Sequence, residues 1–504
     1  MSFDDWWVSL SVGLLGLVSY LRWLRVAQRE HYEPGRIVAM IGIWLRATPV
    51  NIGLGLVIVL LCAAGALLPE AAILAAVLWL VWPLGLPLHP KGSPLVVTDR
   101  VKRLAAIVVV LHVVLVSASA AVGAFVPPFL IVPIVLEAAL RIAAPIERRL
   151  SATFLVQAAA KIKRVAPRVV AITGSYGKTS TKNYATHLLS GRWSTLASPA
   201  SFNNAMGLSR AVNDRLEPGT DVFVAEMGTY GPGEIAGLCE IFRPEVSAIT
   251  TIGEAHLERM KDRATIVRAK SEILAPASTV VLNVDVPELA DAADRASATQ
   301  RVIRVSAADA PGADVVVRRE GDDVVLVLAG ERHQVSLPPE TGHLINVAVA
   351  VGLAMALDVP TATILDRLPS IPATPHRAET TRTPDGLTVI DDTYNSNPDG
   401  AAAALASAKA IAGSSGTVFT ITPGMVELGS QQATRNAELA RAATDGERTL
   451  LCIVGRTNLA ALSAGEPSRT LRFASREQAA SHVMARAAAG DVVLYENDLP
   501  DHYP

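Results

Sequence analysis

Ala171-Ile172-Thr173-Gly174-Ser175-Tyr176-Gly177-Lys178-Thr179-Ser180 is the stretch on which the reading of this chain turns. Val169 to Thr173 before it reads as a short buried strand, and Thr181 to Leu189 after it as a helix. A glycine-rich turn between strand and helix aims backbone N–H groups at one spot, at the positive end of the helix dipole. That is a cradle for phosphate. Lys178 is placed to reach β- and γ-phosphates, and the Thr179 hydroxyl to hold Mg²⁺. The spacing, Gly-x-x-Gly-Lys-Thr, is tighter than the common Gly-x-x-x-x-Gly-Lys-[Ser/Thr] loop. A chance Gly-Lys-Thr turn would not bring strand, turn and helix in this order.

Outward from this loop, the chain from about residue 166 alternates strands with helices. Val222 to Ala225, Val246 to Thr250 and Val280 to Asn283 are short β-branched runs at β-α spacing, which predicts a mostly parallel sheet. Val315 to Val335 reads as a hairpin insertion and Gly342 to Leu357 as an Ala/Val-rich helix. Pro369, Pro372 and Pro375 mark a linker, after which Leu387 to Ile390, Thr417 to Ile421, Leu450 to Val454 and Asp491 to Leu494 repeat the alternation as a second, smaller α/β domain.

The 504 residues carry 45 Lys+Arg against 47 Asp+Glu, so nucleic acid is not an expected partner. Half the residues are hydrophobic and the mean hydropathy is +0.35, which predicts that part of the chain lies in a lipid bilayer. Cys62, Cys239 and Cys452 are too dispersed for a disulfide framework or a zinc site. The apolar excess falls in residues 1–150. Trp6 to Leu21, Val50 to Leu68, Ala71 to Leu88, Leu104 to Val126 and, more weakly, Pro127 to Ala144 are read as five spans. Glu137 and Arg141 could pair within the last. Ile37 to Leu45 is too short to cross and is expected at the surface. Arginines and lysines follow spans one, three and five, which predicts an N-out topology with everything after about residue 145 cytoplasmic. The localisation expected is thus a multi-pass bacterial inner membrane protein with cytoplasmic catalytic domains.

Further polar clusters accompany the phosphate loop. Ser201-Phe202-Asn203-Asn204-Ala205-Met206-Gly207 is a polar turn entering a helix. Glu226 ends a strand, beside the ligand crevice of an open α/β sheet. His256, with Glu254 and Glu258, follows another strand, and O and N donors at neighbouring strand ends suit Mg²⁺ or Mn²⁺. Lys270 sits in an apolar helix, and Asp391-Asp392-Thr393-Tyr394-Asn395-Ser396-Asn397-Pro398 ends the first strand of the last domain.

In their shared order these motifs resemble the Mur ligases, ATP-dependent amide-bond ligases of peptidoglycan precursor synthesis. The resemblance covers residues 166–504. It implies that Gly174, Ser175, Tyr176, Gly177, Lys178, Thr179 and Ser180 bind ATP, with Asn346, Arg377, Asp391, Asp392, Tyr394 and Asn395 around the nucleotide. It implies Thr179, Glu226 and His256 as metal ligands, Ser201, Asn203 and Asn204 on the substrate, and Lys178, Lys270 and His256 in catalysis, with Lys270 carbamylated. Met425-Val426-Glu427-Leu428-Gly429 also matches, although an Asp of the family motif is missing. The family's late Lys-Gly-Ser is absent, and the corresponding strand ends in Tyr495-Glu496-Asn497-Asp498. The domain that holds the uridine nucleotide in soluble members has no counterpart.

The domains expected are a transmembrane region at 1–150, a basic linker at 151–165, a central ATP-binding domain at 166–372 and a Rossmann-like C-terminal α/β domain at 373–504. The function expected is a membrane-anchored carboxylate–amine ligase acting through an acyl phosphate. A cell-envelope precursor and an amino acid or short peptide are the expected substrates, and the bilayer and other wall-synthesis proteins the expected partners. The surplus of spans suggests a groove for a lipid-linked substrate, or only a tether. The rival readings are a glutaminase-coupled amidating subunit and a membrane ATPase or transporter.

Overall fold

The computed structural model describes residues 3–65, 68–87, 94–121, 130–199, 202–254, 257–321, 323–338, 341–394 and 397–504. Four short β-branched runs, buried on both faces, set the centre of the main sheet. Its strands are β1 (Arg168–Thr173), β2 (Thr195–Ala197), β3 (Val222–Glu226), β4 (Val246–Ile249), β5 (Thr279–Asn283), β6 (Arg301–Ser306), β7 (Val315–Glu320), β8 (Asp323–Leu328) and β9 (Glu331–Val335), in the order β2-β3-β1-β4-β5-β6-β7-β8-β9. Pairing is parallel through β7 and antiparallel from β7 to β9, so the expected hairpin is an extension of the sheet's edge. The two-residue period divides the strands between two cores. Val170, Ile172, Val222 and Val224 share one core with the helix Leu344–Ala356, whereas Val169, Ala171, Phe223 and Ala225 belong to the core on the other face.

The second sheet runs β10 (Glu379–Arg382), β11 (Thr388–Asp392), β15 (Val492–Glu496), β12 (Val418–Thr422), β13 (Thr449–Val454) and β14 (Thr470–Phe473), in that spatial order. It is parallel except for β10. Both sheets belong to one compact unit, residues 152–454 and 458–498.

The other unit comprises residues 1–151, 455–457 and 499–504. Its helices are α1 (Phe3–Arg29), α2 (Arg36–Ala47), α3 (Val50–Ala64), α4 (Pro69–Val81), α5 (Asp99–Ala121) and the first part of α6 (Val132–Val165). Trp23, Met40, Trp44, Ile58, Leu104 and Leu136 form its core, while Leu56, Leu60, Val110 and Val114 are exposed.

These helices correct the expectation of five spans. A span needs about 20 apolar residues to cross ~30 Å of hydrocarbon. α3 has 15 residues and α4 has 13. Among the described residues one helix, Asp99–Ala118, is long and apolar enough, or two if α2 and α3, bent by 114°, count as one span. The multi-pass inner-membrane localisation is overturned with it. Two of the charges that suggested a topology, Arg22 and Arg103, have structural partners. Arg22 donates to the carbonyls of Leu80, Trp82, Pro83 and Leu86, closing the C-terminal end of α4. Arg103 forms a bidentate pair with Glu147. Glu137 does not pair with Arg141. Its carboxylate accepts from the N–H groups of Gly35 and Ile37 at 2.6 and 3.0 Å, capping α2, as an anion at a helix N-terminus should. α2 itself is not superficial, since Ile37, Met40 and Trp44 are buried. Residues 151–165, read above as a basic linker, are helical, and Ala158 and Ile162 join the core of the sheet-bearing unit.

Candidate active site

β1 ends at Thr173 and the helix α7 (Lys178–Leu189) begins five residues later. The intervening turn is braced by the loop after β4. Ser175 N–H donates to Thr251 O at 2.9 Å, Ser175 Oγ to Gly253 O at 3.0 Å, and Thr250 Oγ1 to Tyr176 O. Two glycines are obligatory. At Gly174 a Cβ would lie 1.9 Å from Thr250 Oγ1, and at Gly177, with φ +81°, 2.1 Å from Asn346 Oδ1. Asn346 thus abuts the loop from the first turn of the helix Leu344–Ala356.

The cations converge on this turn. Lys178 Nζ donates to Gly174 O at 2.8 Å and Ser175 O at 3.2 Å, and Lys270 Nζ donates to Gly174 O at 3.1 Å. Burial, partly offset by Glu226, lowers the Lys178 ammonium to about 8. Burial, with the Lys178 charge beside it, drives Lys270 well below the usual lysine range. Glu226, buried at the end of β3, faces them. Its Oε2 accepts from Thr179 Oγ1 at 2.9 Å and Lys182 Nζ at 3.4 Å, and its Oε1 from Asn203 Nδ2 at 3.3 Å. Lys182, buried one turn along α7, was not singled out in the sequence. Its i+4 spacing from Lys178 was the available signal.

Asn204 caps the helix Ala205–Arg215 by accepting from Gly207 N–H at 2.9 Å. From the second sheet, Asp391 accepts from His376 Nδ1 at 2.7 Å and Thr393 Oγ1 at 2.6 Å, and Asp392 from Ala378 N–H at 2.8 Å. Tyr394 is exposed beside the His376 ring. Arg377 is near enough to oppose the charges of Lys178 and Lys182. His256, Ser201 and Asn395 lie outside the described residues. Two further links between the sheets escaped sequence reading. Tyr176 Oη donates to Asp399, and Arg435 grips Glu254 with bonds of 2.5 and 2.7 Å. Thr179 and Glu226 present a hydroxyl and a carboxylate oxygen 2.9 Å apart beside the loop, a hard-oxygen pair that fits a divalent cation. Such a constellation can neutralise a polyphosphate and hold its terminal group in line with an attacking oxygen.

Two family profiles match, described as the Mur ligase middle domain over residues 172–354 and the Mur ligase, glutamate ligase domain over residues 376–495. Among curated relatives, the UDP-N-acetylmuramoyl-tripeptide–D-alanyl-D-alanine ligase of Mycobacterium leprae is 32% identical over 366 residues, covering 65% of this chain and 70% of that protein. The enzyme of the same name from Bacillus subtilis is 26% identical over 347 residues, covering 67% and 75%. Among solved structures, MurF ligase from Thermotoga maritima in complex with ADP superposes with a TM-score of 0.60 at 24% identity, covering 69% of this chain and 80% of that one. MurF from Acinetobacter baumannii also gives 0.60 at 24% identity, covering 69% and 77%. At these identities the structures establish a common fold.

Proposed function

Since the chain belongs to the Mur ligase family of ATP-dependent peptide ligases, we propose that it joins the carboxylate of a peptidoglycan-type peptide precursor to the amine of a short peptide. The observation that carries this is the cluster of Lys178, Lys270, Thr179 and Glu226 around one glycine turn, the two lysines bonded to the turn and the other two to each other. The names of the relatives specify a nucleotide-linked muramoyl tripeptide and D-alanyl-D-alanine, and these are the substrates to try first.

In this reading a carboxylate oxygen attacks the γ-phosphorus of ATP. The bond to the β,γ-bridging oxygen breaks, leaving ADP and an acyl phosphate. The amine then attacks the acyl carbon, phosphate departs, and one proton is lost from nitrogen. The turn N–H groups and Lys178 hold the phosphates and offset the charge gathering on them. Thr179 and Glu226 would hold Mg²⁺, with His256 as the family's third ligand. The metal would supply further neutralisation of phosphate charge. Asn346, Arg377, Asp391, Asp392, Tyr394 and Asn395 are assigned to the nucleotide, and Ser201, Asn203 and Asn204 to the substrate side. The Asn204 side chain, already a helix cap, acts there by shaping the turn.

Lys270 is proposed to be carbamylated. Its depressed ammonium favours the neutral amine, the form that adds CO₂ with loss of a proton. The resulting anion would also replace repulsion with attraction toward Lys178. Native mass spectrometry should show one added CO₂, lost in Lys270→Ala. Phosphate release by the purified protein should require ATP, the tripeptide precursor and D-alanyl-D-alanine together. Release at the same rate without the amine would refute the ligase assignment.

A further inference from the structure

Arg22, Arg25 and Arg29 stand at i, i+3 and i+7 on α1, so their side chains share one helix face. Arg22 and Arg25 are buried, with 8% and 3% exposure. Arg22 spends its Nη atoms on the four carbonyls at the end of α4, and Arg29 Nη2 donates to Pro94 O at 3.3 Å. Arg25 has no such outlet. Both its Nη atoms are buried and have no hydrogen-bond partner among the described residues, and the same holds for Nε of Arg22 and of Arg29. Four orphaned donors of the most persistently charged side chain therefore gather along one face. A buried cation without a partner is costly, and a chain that keeps one is built to receive an anion.

We propose that Arg25, flanked by Arg22 and Arg29, is the centre of an anion site that takes a phosphate or diphosphate group. The two Nη atoms of one guanidinium form a fork that matches two oxygens of a tetrahedral phosphate. The charges on either side favour a dianion over a single carboxylate. The groups that bear on Arg25 are Arg22, Arg29 and, from the C-terminal tail, Asp501, whose charge attracts it. The nearby carboxylate Glu30 is engaged with Arg36 and His502. The site lies outside residues 172–354 and 376–495, which the family profiles match, and it stands apart from the ligase assignment.

The test is calorimetric titration of the full chain, saturated with MgADP, with inorganic pyrophosphate, with UDP and with a short-chain phosphatidate in detergent. Wild-type protein should bind pyrophosphate at one site, and Arg25→Gln should weaken binding about tenfold or more while melting at the same temperature or higher. Lys178→Ala, which alters the nucleotide loop, should bind pyrophosphate as wild type does. Tighter binding of UDP than of pyrophosphate would mark a nucleotide source for the group, and tighter binding of phosphatidate a lipid source. Absence of binding by all three probes would overturn the proposal. So would unchanged binding in Arg25→Gln, or loss of binding in Lys178→Ala. Should Arg25→Gln fail to fold, Arg25→Lys keeps the charge and loses the fork, and unchanged affinity in that variant would overturn it equally.

Discussion

Two side chains carry opposite lessons about burial. Among the described residues Lys178 donates to carbonyls of its own turn, and the role proposed for it is to meet phosphate. Lys178→Ala should lower ATP turnover by about 10²–10³ while leaving the far-ultraviolet circular dichroism unchanged. Turnover within a few fold of wild type would remove the phosphate-loop assignment. Glu496, at the end of β15, is fully buried, and neither carboxylate oxygen has a partner among the described residues. Burial, reinforced by the charge of Asp392 on the adjacent strand, raises its carboxyl well above the ordinary range. An acid whose folded value is raised stabilises the fold fully below its unfolded value, near 4.5, and loses that contribution as the pH climbs toward the folded value. Glu496→Gln should therefore leave stability near wild type at pH 4 and raise it at pH 8, by about 1–3 kcal/mol. Denaturant melts at the two pH values decide this, and a gain that does not grow with pH would contradict it.

At the scale of elements, the glycine turn after β1 is set by close packing. Gly177→Ala would drive a methyl into Asn346 and impose φ +81° on a residue with a Cβ. We expect loss of ADP binding in equilibrium dialysis with the C-terminal sheet still folded, and retained binding would refute the constraint. This element was legible in the sequence because strand, turn and helix are contiguous and each is fixed by local chemistry. The strands at Val169 to Thr173 and Val222 to Ala225 were legible for the same reason, as short β-branched runs. Contacts between distant residues were not. Glu254 and Arg435 are 181 positions apart, and nothing local to either announces a bidentate pair. Each of Glu254→Ala and Arg435→Ala should destabilise the protein, and the double variant should cost little more than either, with a coupling of about 0.5–1 kcal/mol. Strictly additive losses would show that the pair contributes nothing as a pair. The N-terminal helices were misread because hydropathy counts apolar residues without sensing where a helix breaks. Val50 to Leu68 is interrupted after Ala64, and Arg22, taken as a topology signal, is the C-terminal cap of another helix.

At the scale of the whole chain, the helical unit is assembled from both ends of the sequence, since residues 499–504 belong to it with residues 1–151. The tail is seated by specific bonds. His502 O accepts from Trp44 Nε1 at 3.0 Å, His502 Nε2 donates to Glu30 Oε1 at 2.9 Å, and Pro504 O accepts from the N–H groups of Arg456 and Thr457. Glu30 is the pivot, since it also accepts from Arg36 Nε at 2.5 Å. Burial alone would raise its carboxyl, but the bonds from His502 and Arg36 outweigh it and bring the group down to about 2. A depressed carboxyl stabilises the fold above its unfolded value, near 4.5, and that contribution is lost as the pH falls toward 2. Its full size is about 3 kcal/mol as an upper estimate. Six of the seven tryptophans lie between residues 6 and 82, so intrinsic fluorescence follows this unit selectively. Its acid unfolding should therefore shift to higher pH in His502→Ala, because Glu30 loses one of the two bonds that hold it ionised. A protein ending at residue 498 should behave as His502→Ala does, and Glu30→Gln should flatten the dependence between pH 4.5 and 2. Acid-unfolding curves of wild type and His502→Ala that superimpose would show that the tail rests on the helices without holding them.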